Sequence, residues 1–385
     1  METRLRFRGC LLGLYAAIAP IALATAASGD SIFVDGFEPT RWVAGYYVGY
    51  ERDLYPVAEL DFSAITHLMV GRVRPKVDGN LYTDFDIDAV EGRLWAKSAT
   101  AAAHAAGRKT VLMVGGDGEI DGWRGAASPA HRAGFVANLL AAADQLGFDG
   151  LDLDWEPLED SDRPNFQALA QALRAARPGL ILTVPVGWIN ANFADPPDPF
   201  WGQVSPLFDR INIMSYGMAG PWGWLSWHSS ALSGEAGLTP TSVESSVGYY
   251  LASGVPQARL GVGIGFYGSC WNGVTAPRQE GGDLLAGDGE MSYRNIVEGY
   301  LQPNRLHWDD LAKVPYLGSA TPFGAHQCTF VSYEDAQSIA EKGAYVRERN
   351  LGGTIIWTIG QGHLPGRPAG QRDPLLDAVR AAFLE

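Results

Sequence analysis

Eight short runs of apolar and β-branched residues recur along the chain, near 42–48, 65–71, 110–115, 149–155, 180–184, 210–216, 259–266 and 354–359. Between them lie Ala- and Leu-rich stretches. Strands that alternate with helices imply a parallel sheet, because each connection between parallel strands must cross one face of it. Eight such units predict an α/β fold closed into a (β/α)8 TIM barrel. The 385 residues are ample for a barrel of this size and its core. Ser128-Pro129 predicts an N-cap with proline at the first helical position, and Phe135, Leu139 and Leu146 follow at helical spacing. Ser332-x-x-Asp335 predicts a capping box, with Gly352 at the exit of that helix. Pro185 is awkward inside a barrel strand, so the fifth strand is expected to end before it. The segment between the seventh and eighth runs is far longer than one crossover needs. Its excess, about 268–330, carries Trp271, Tyr293, Tyr300, Leu301 and Trp308, which predicts a packed insertion rather than a loose loop.

The fourth run, Phe148-Asp149-Gly150-Leu151-Asp152-Leu153-Asp154-Trp155-Glu156, has an unusual face. Strand side chains alternate, so Asp152, Asp154 and Glu156 share one side while Leu151, Leu153 and Trp155 take the other. Carboxylates crowded on a buried face repel, and at least one is expected to hold its proton near neutral pH. A carboxyl of that kind can serve as a general acid. Alternatives are a strand whose acids pair with neighbouring bases, although few bases lie near the inner strand ends, and a divalent-metal cluster for phosphoester cleavage.

Arg4, Arg6 and Arg8, the apolar run Leu11–Leu23 and Ala24-Thr25-Ala26 read as a secretory signal over 1–26. A linker over 27–40 follows, and the domain is expected over 41–385. Secretion, to the exterior or a periplasm, is therefore expected, with no membrane association after signal cleavage. The apolar run is short for a membrane span and contains Pro20. The formal charge of −14 disfavours nucleic acid and anionic membranes and suits a neutral or cationic substrate. Most of these charges are a solvated surface. Cys10 lies in the signal, and the remaining Cys270 and Cys328 permit one disulfide in an exported protein; their places at the two ends of the insertion predict that they pair, pinning its base to the barrel.

Asp149-Gly150-x-Asp152-x-Asp154-x-Glu156 resembles the DGxDxDxE signature of family 18 glycoside hydrolases, the chitinases and their relatives, at all five fixed positions. The resemblance extends along the mature chain. Ala44-Gly45-Tyr46-Tyr47 resembles the family's first strand, where an aromatic lines the pocket for the sugar being cut. Lys109–Gly116 resembles its third strand, with Met113 in place of the usual Ser and ending at Gly116. Asn212, Met214 and Tyr216 resemble its Met-x-Tyr-Asp strand, with Gly217 in place of the Asp. Phe266-Tyr267-Gly268 resembles the seventh strand, with Ser269 where many relatives have Arg. Trp357 resembles the tryptophan that floors the catalytic subsite. The family also implies that the insertion is a small α+β subdomain between strand 7 and helix 7, walling the cleft. Trp222, Trp224, Trp227 and His228 cluster after the sixth run and are candidate cleft residues, since apolar ring faces stack on sugar, whereas a lone His228 reads as structural rather than catalytic.

What the resemblance implies is hydrolysis of β-1,4 linkages next to N-acetylglucosamine in chitin or its oligosaccharides, with retention. Glu156 is the expected acid/base. Asp154 and Tyr216 hold the substrate's acetamide, which acts as nucleophile through an oxazolinium ion, and Asp152 shares a proton with Asp154. Tyr46, Gly116, Met214, Tyr267, Trp357 and Trp227 are the expected substrate contacts. No cofactor and no metal are required, and a monomer is expected. The competing readings are an endo-β-N-acetylglucosaminidase acting on glycoprotein glycans, and a non-hydrolytic chitin-binding lectin. Lectin-like members typically lose the terminal Glu.

Overall fold

A computed structural model describes residues 41–385 apart from 193–195 and 221–223. The expected signal and linker, and Trp222, lie outside these residues. Eight parallel strands form a closed barrel: β1 (Trp42–Val48), β2 (His67–Pro75), β3 (Lys109–Gly116), β4 (Gly150–Trp155), β5 (Ile181–Gly187), β6 (Arg210–Met214), β7 (Leu260–Gly265) and β8 (Gly353–Trp357). Closure follows from β1, which pairs in parallel with both β8 and β2. The helices α1 (Glu91–Ala105), α2 (Arg132–Leu146), α3 (Arg163–Ala176), α4 (Val243–Ala252), α5 (Ala336–Glu348) and α6 (Pro374–Phe383) accompany the strands. The period-2 alternation of each strand supplies two cores. Trp42, Ala44, Tyr46, Met69, Val111, Met113 and Ile355 form one cluster, while Val43, Tyr47, Leu151, Leu153 and Trp155 join the larger one with helical Phe135, Leu139 and Phe166.

The eight expected runs coincide with β1–β8, with local differences. α2 begins at Arg132 after His131, without a side-chain cap. The Ser128 hydroxyl instead donates to the Gly125 carbonyl at 2.6 Å, closing the preceding turn. The capping box of α5 is made by Asp335 and Ser338, because Ser332 still belongs to a strand. The left-handed residue near the exit of that helix is Asn350.

Pro185 lies inside β5, opposite Asn212, and not beyond its end as expected. In a parallel strand the N–H and C=O of one residue point to the same side, and successive residues to opposite sides. Ile181 donates to the Asp149 carbonyl, at the β4 edge. The N–H and C=O of Leu182 both meet Asp209, at the β6 edge. Residue 185 therefore turns its nitrogen toward β4, where a proline has nothing to donate. The β4–β5 ladder accordingly ends at Asp152↔Thr183, while β5 continues against β6 to Gly187. The proline is tolerated because it forfeits only the β4 ladder, while the β6 ladder continues.

The insertion is a five-stranded antiparallel sheet with a short helix, Tyr293–Gly299. Its strands lie in the order Asp283–Ala286, Ser269–Asn272, Cys328–Ser332, Val314–Phe323, Leu306–Asp309. Met291, Ile296, Tyr300, Leu317 and Val331 fill its own core. Cys270 and Cys328 are disulfide-bonded. The expected pairing holds, but the bond joins two neighbouring strands within the insertion and does not pin the insertion to the barrel. With a sequence separation of 58, chain entropy assigns this link about 4 kcal/mol. The Cys270→Ser/Cys328→Ser double variant is expected to unfold at a clearly lower denaturant midpoint, and an unchanged midpoint would refute the estimate.

Candidate active site

The site grows from the C-terminal end of β4, the end of the barrel where loops bring chemistry together. Asp149 anchors the start of this strand. It accepts from the Thr110 N–H at 2.9 Å and the Lys109 ammonium at 2.9 Å, and lies 2.8 Å from His104 Nε2. Burial pushes its pKa up, but the His104, Thr110 and Lys109 bonds outweigh that and bring it down to about 2. Gly150 lets β4 lie close to β5, since a Cβ there would sit 2.4 Å from the Ile181 carbonyl oxygen.

Asp152 is fully buried. It accepts from the Tyr46 hydroxyl at 2.7 Å and from the Thr183 hydroxyl. Burial raises its pKa to about 6 against the opposing pull of those two bonds. Asp154 is also buried, and its pKa is pushed well up, first by burial and then by the charge of Glu156. A hydrogen bond between its carboxyl and that of Glu156 raises it further. Burial raises Glu156 too; the bond from Asp154 and the more distant Arg72 pull it down, while Asp117 pushes it up. The proton bond expected between Asp152 and Asp154 is thus made between Asp154 and Glu156, because both Asp152 oxygens are occupied by hydroxyls. Asp154 Oδ1 is buried without a hydrogen-bond partner. A buried acceptor in that state is costly, and it points to a group that arrives from outside.

Two depressions meet at Asp154 and Glu156. One, of about 170 Å³, is lined by Tyr46, Met214, Tyr216, Tyr267, Asp288 and Trp357. The other, of about 320 Å³, is lined by Tyr50, Arg72, Gly116, Asp117 and Trp357. Tyr46 and Trp357 pack with ring centroids 5.3 Å apart, and Tyr216 and Tyr267 meet edge to face at 6.0 Å. Burial holds the Tyr216 hydroxyl pKa far above its usual value, so it is a neutral donor at physiological pH. Glu156, Asp154, Tyr46, Gly116, Met214, Tyr216, Tyr267 and Trp357 are thus brought together as expected, with Asp152 directly beneath.

Trp227 is not among them. It is completely buried, clustered with Trp271, Val314 and Phe330. Its indole donates to the Thr241 carbonyl at 2.7 Å, and Arg278 lies over its ring. The loop after β6 folds under the insertion, so this tryptophan packs the junction and does not line the cleft. His228 is equally buried, 2.9 Å from Asp309 and 3.1 Å from the Ser332 hydroxyl.

Tyr50, Asp117 and Thr183 escaped the sequence reading, and so did two further site residues. Arg72 lies in β2 just past the expected end of that strand, where a cation in an otherwise apolar run was the available signal. It donates to Asp86 and to the Gly115 and Asp117 carbonyls. Asp288 comes from the insertion and accepts from the Trp357 indole at 2.9 Å and from Gln361 at 2.7 Å. No local pattern marks it.

Glycosyl hydrolases family 18 matches residues 42–362, and the chain belongs to that family. Chitinase A1 of Niallia circulans is 27% identical over 288 residues, covering 65% of this chain and 40% of its own length. Endochitinase 1 of Metarhizium robertsii is 28% identical over 268 residues, covering 65% of this chain and 60% of its own. The chain thus spans less than two thirds of these relatives. A crystal structure of the Ostrinia furnacalis Group IV chitinase superposes with a TM-score of 0.76 at 26% identity, covering 90% of this chain and all of the other.

The glycine at 217, where the family signature has Asp, has a backbone reason. Its φ is +61°, and a Cβ would stand 3.2 Å from the Tyr267 hydroxyl. A side chain pays for that left-handed conformation. Gly217→Ala is therefore expected to lower stability by about 1 kcal/mol, read as a fall in thermal midpoint; an unchanged midpoint would show that the turn is indifferent to the residue.

Proposed function

We propose that the protein is an exported chitinase that cleaves β-1,4 linkages next to N-acetylglucosamine with retention of configuration. The observation that carries this reading is the Asp154–Glu156 pair holding one proton, with Asp154 Oδ1 buried and unpartnered beside the Trp357 floor. A sugar stacked on Trp357 brings its acetamide to Asp154 and Tyr216. The acetamide N–H satisfies Oδ1 and favours ionised Asp154, so the shared proton passes to Glu156. Glu156 delivers it to the bridging oxygen as that bond breaks, and the acetamide oxygen bonds to the anomeric carbon. Tyr216 donates to the acetamide and orients it. Glu156, now ionised, takes a proton from water, whose oxygen attacks the anomeric carbon and reopens the oxazolinium ring. Asp152, held by Tyr46 and Thr183, keeps negative charge next to the pair and supports the cation that forms.

The intact Glu156 favours hydrolysis over sugar binding alone. The insertion beside Trp357 favours a linear polymer over the branched glycan of a glycoprotein. The basic start and apolar run before Ala26 support export, which the disulfide also suits. The enzyme acts as a monomer in this reading.

Glu156→Gln keeps the shape and removes the transferable proton, so turnover of chitin oligomers should fall at least ~10²-fold with folding intact. Fully deacetylated oligomers should not be cleaved at all; comparable rates on acetylated and deacetylated chains would end the acetamide mechanism. Asp117 faces Glu156 and raises its pKa. Asp117→Asn removes that like charge, Glu156 ionises at lower pH, and the basic limb of kcat/KM should move to lower pH. A limb that stays put or rises would contradict the electrostatic role of Asp117.

A further inference from the structure

The cleft continues past Glu156. On the side of this carboxyl away from Trp357, a third cavity of about 450 Å³ occupies the gap where β4 and β5 part. Its size lies in the range of small-molecule sites. It shares Glu156, Pro185 and Met214 with the depression over Trp357. Its body lies outside the barrel, between the strands and the helical layer, with Trp155, Trp188, Trp201 and Tyr249 in its walls. The split that creates it follows from the proline. Gly187, which would otherwise turn its carbonyl to β4, accepts from the Tyr250 hydroxyl at 2.7 Å. The opening is thus capped and held.

The walls are largely aromatic, and the cation among them is paired through its terminal nitrogens: Arg163 meets Asp160 at 2.8 Å and Asp198 at 2.7 Å. Two donors are left over, one of them the Nε of Arg163. Trp155 is only 4% exposed, and its indole N–H is buried without a hydrogen-bond partner. A chamber with aromatic faces and two unsatisfied donors suits an apolar group that carries an acceptor oxygen.

We propose that this chamber binds an aryl or alkyl group bearing an acceptor oxygen, attached on the leaving side of the bond that Glu156 protonates. The proposal rests on the glycosidase reading above. The sugar being cut lies over Trp357 with its acetamide at Asp154 and Tyr216. Glu156 stands between that sugar and the chamber, so the group across the bridging oxygen faces the opening. The substrate class is therefore an N-acetylglucosamine glycoside with an apolar aglycon, in addition to a sugar chain.

Gly187 gives a clean test. It lines the chamber, its φ lies outside the left-handed region, and a Cβ there meets nothing within 4 Å. Gly187 shares the face of Thr183 and lies opposite Met214, so Gly187→Leu should block the mouth that joins the chamber to the cleft without disturbing the backbone. The probes are the phenyl and 4-butoxyphenyl β-glycosides of N,N′-diacetylchitobiose, whose phenols have like acidity and hence like leaving ability. The wild-type full chain should favour the butoxyphenyl glycoside by about tenfold in kcat/KM, the scale of burying two methylenes. Gly187→Leu should erase that preference while turnover of the phenyl glycoside and of chitin oligomers stays within about twofold. Trp188→Ala, which removes one wall, should weaken the preference and serves if Gly187→Leu fails to fold. Direct binding of 4-butoxyphenol, followed by calorimetry, should be present in the wild type and lost in Gly187→Leu. Equal kcat/KM for the two glycosides in the wild type, or a preference that survives Gly187→Leu, overturns the chamber and leaves it to water. If neither glycosides nor chitin oligomers are turned over, the glycosidase reading fails, and the 4-butoxyphenol titration alone then decides whether the chamber is a site.

Discussion

Three carboxyl groups on one buried strand face constrain the rest of this molecule. Asp152, Asp154 and Glu156 crowd together on β4, where each additional negative charge is opposed by desolvation and by its neighbours. Among the described residues no cation pairs with them; Arg72 spends its hydrogen bonds on Asp86 and two carbonyls. The face is stabilised instead by hydroxyls, Tyr46 and Thr183 on Asp152, and by the proton held between Asp154 and Glu156. Such a pair titrates as a unit, and a small change in its surroundings decides which member carries the proton. That is the condition a group needs to act first as an acid and then as a base. A direct ion pair to any of the three would stabilise the fold and would hold one carboxyl permanently ionised.

The floor of the site depends on the insertion as much as on the barrel. Trp357 ends β8 with its indole N–H turned to Asp288, which the insertion supplies. The other oxygen of Asp288 accepts from Gln361, and Gln361 also donates to Glu51, which in turn accepts from Thr358. Glu51 is buried, and its pKa is raised by that burial despite the bonds from Thr358 and Gln361. The orientation of the tryptophan ring is thereby tied to a second small hydrophobic core, which the disulfide strengthens. The insertion is therefore part of the site's support as well as one of its walls.

Much of this was legible because it follows from alternation along strands. The period-2 pattern puts Asp152, Asp154 and Glu156 on one face, and the strand ends at Tyr46, Tyr216 and Trp357 identify the rim. What stayed hidden depends on contacts between segments far apart in the chain. Asp288 reaches Trp357 only after the insertion has folded. Trp227 has the composition of a sugar platform, yet the insertion covers it, and no local rule reports what will lie above a loop. Gly217 could be read as a lost charge, but its φ of +61° shows a backbone demand that a one-dimensional pattern cannot display. Arg72 was missed by one residue, since strand ends are the least certain part of any such reading.

Pro185 shows how a local misfit becomes a feature of the site. A proline in a central strand usually argues against the strand, and that rule would have ended β5 too early. The alternation of backbone groups places its missing N–H toward β4, so only that ladder is lost and the β6 ladder continues. The seam opens beyond Asp152 and Thr183, next to the catalytic strand's last residues. Had the proline stood one position earlier or later, its missing donor would have faced β6 instead. The β4 ladder would then have had no such reason to end, and the space beside Glu156 would be closed by backbone. The position of one imino acid thus helps decide whether the acid/base stands against a continuous wall or beside an aromatic chamber.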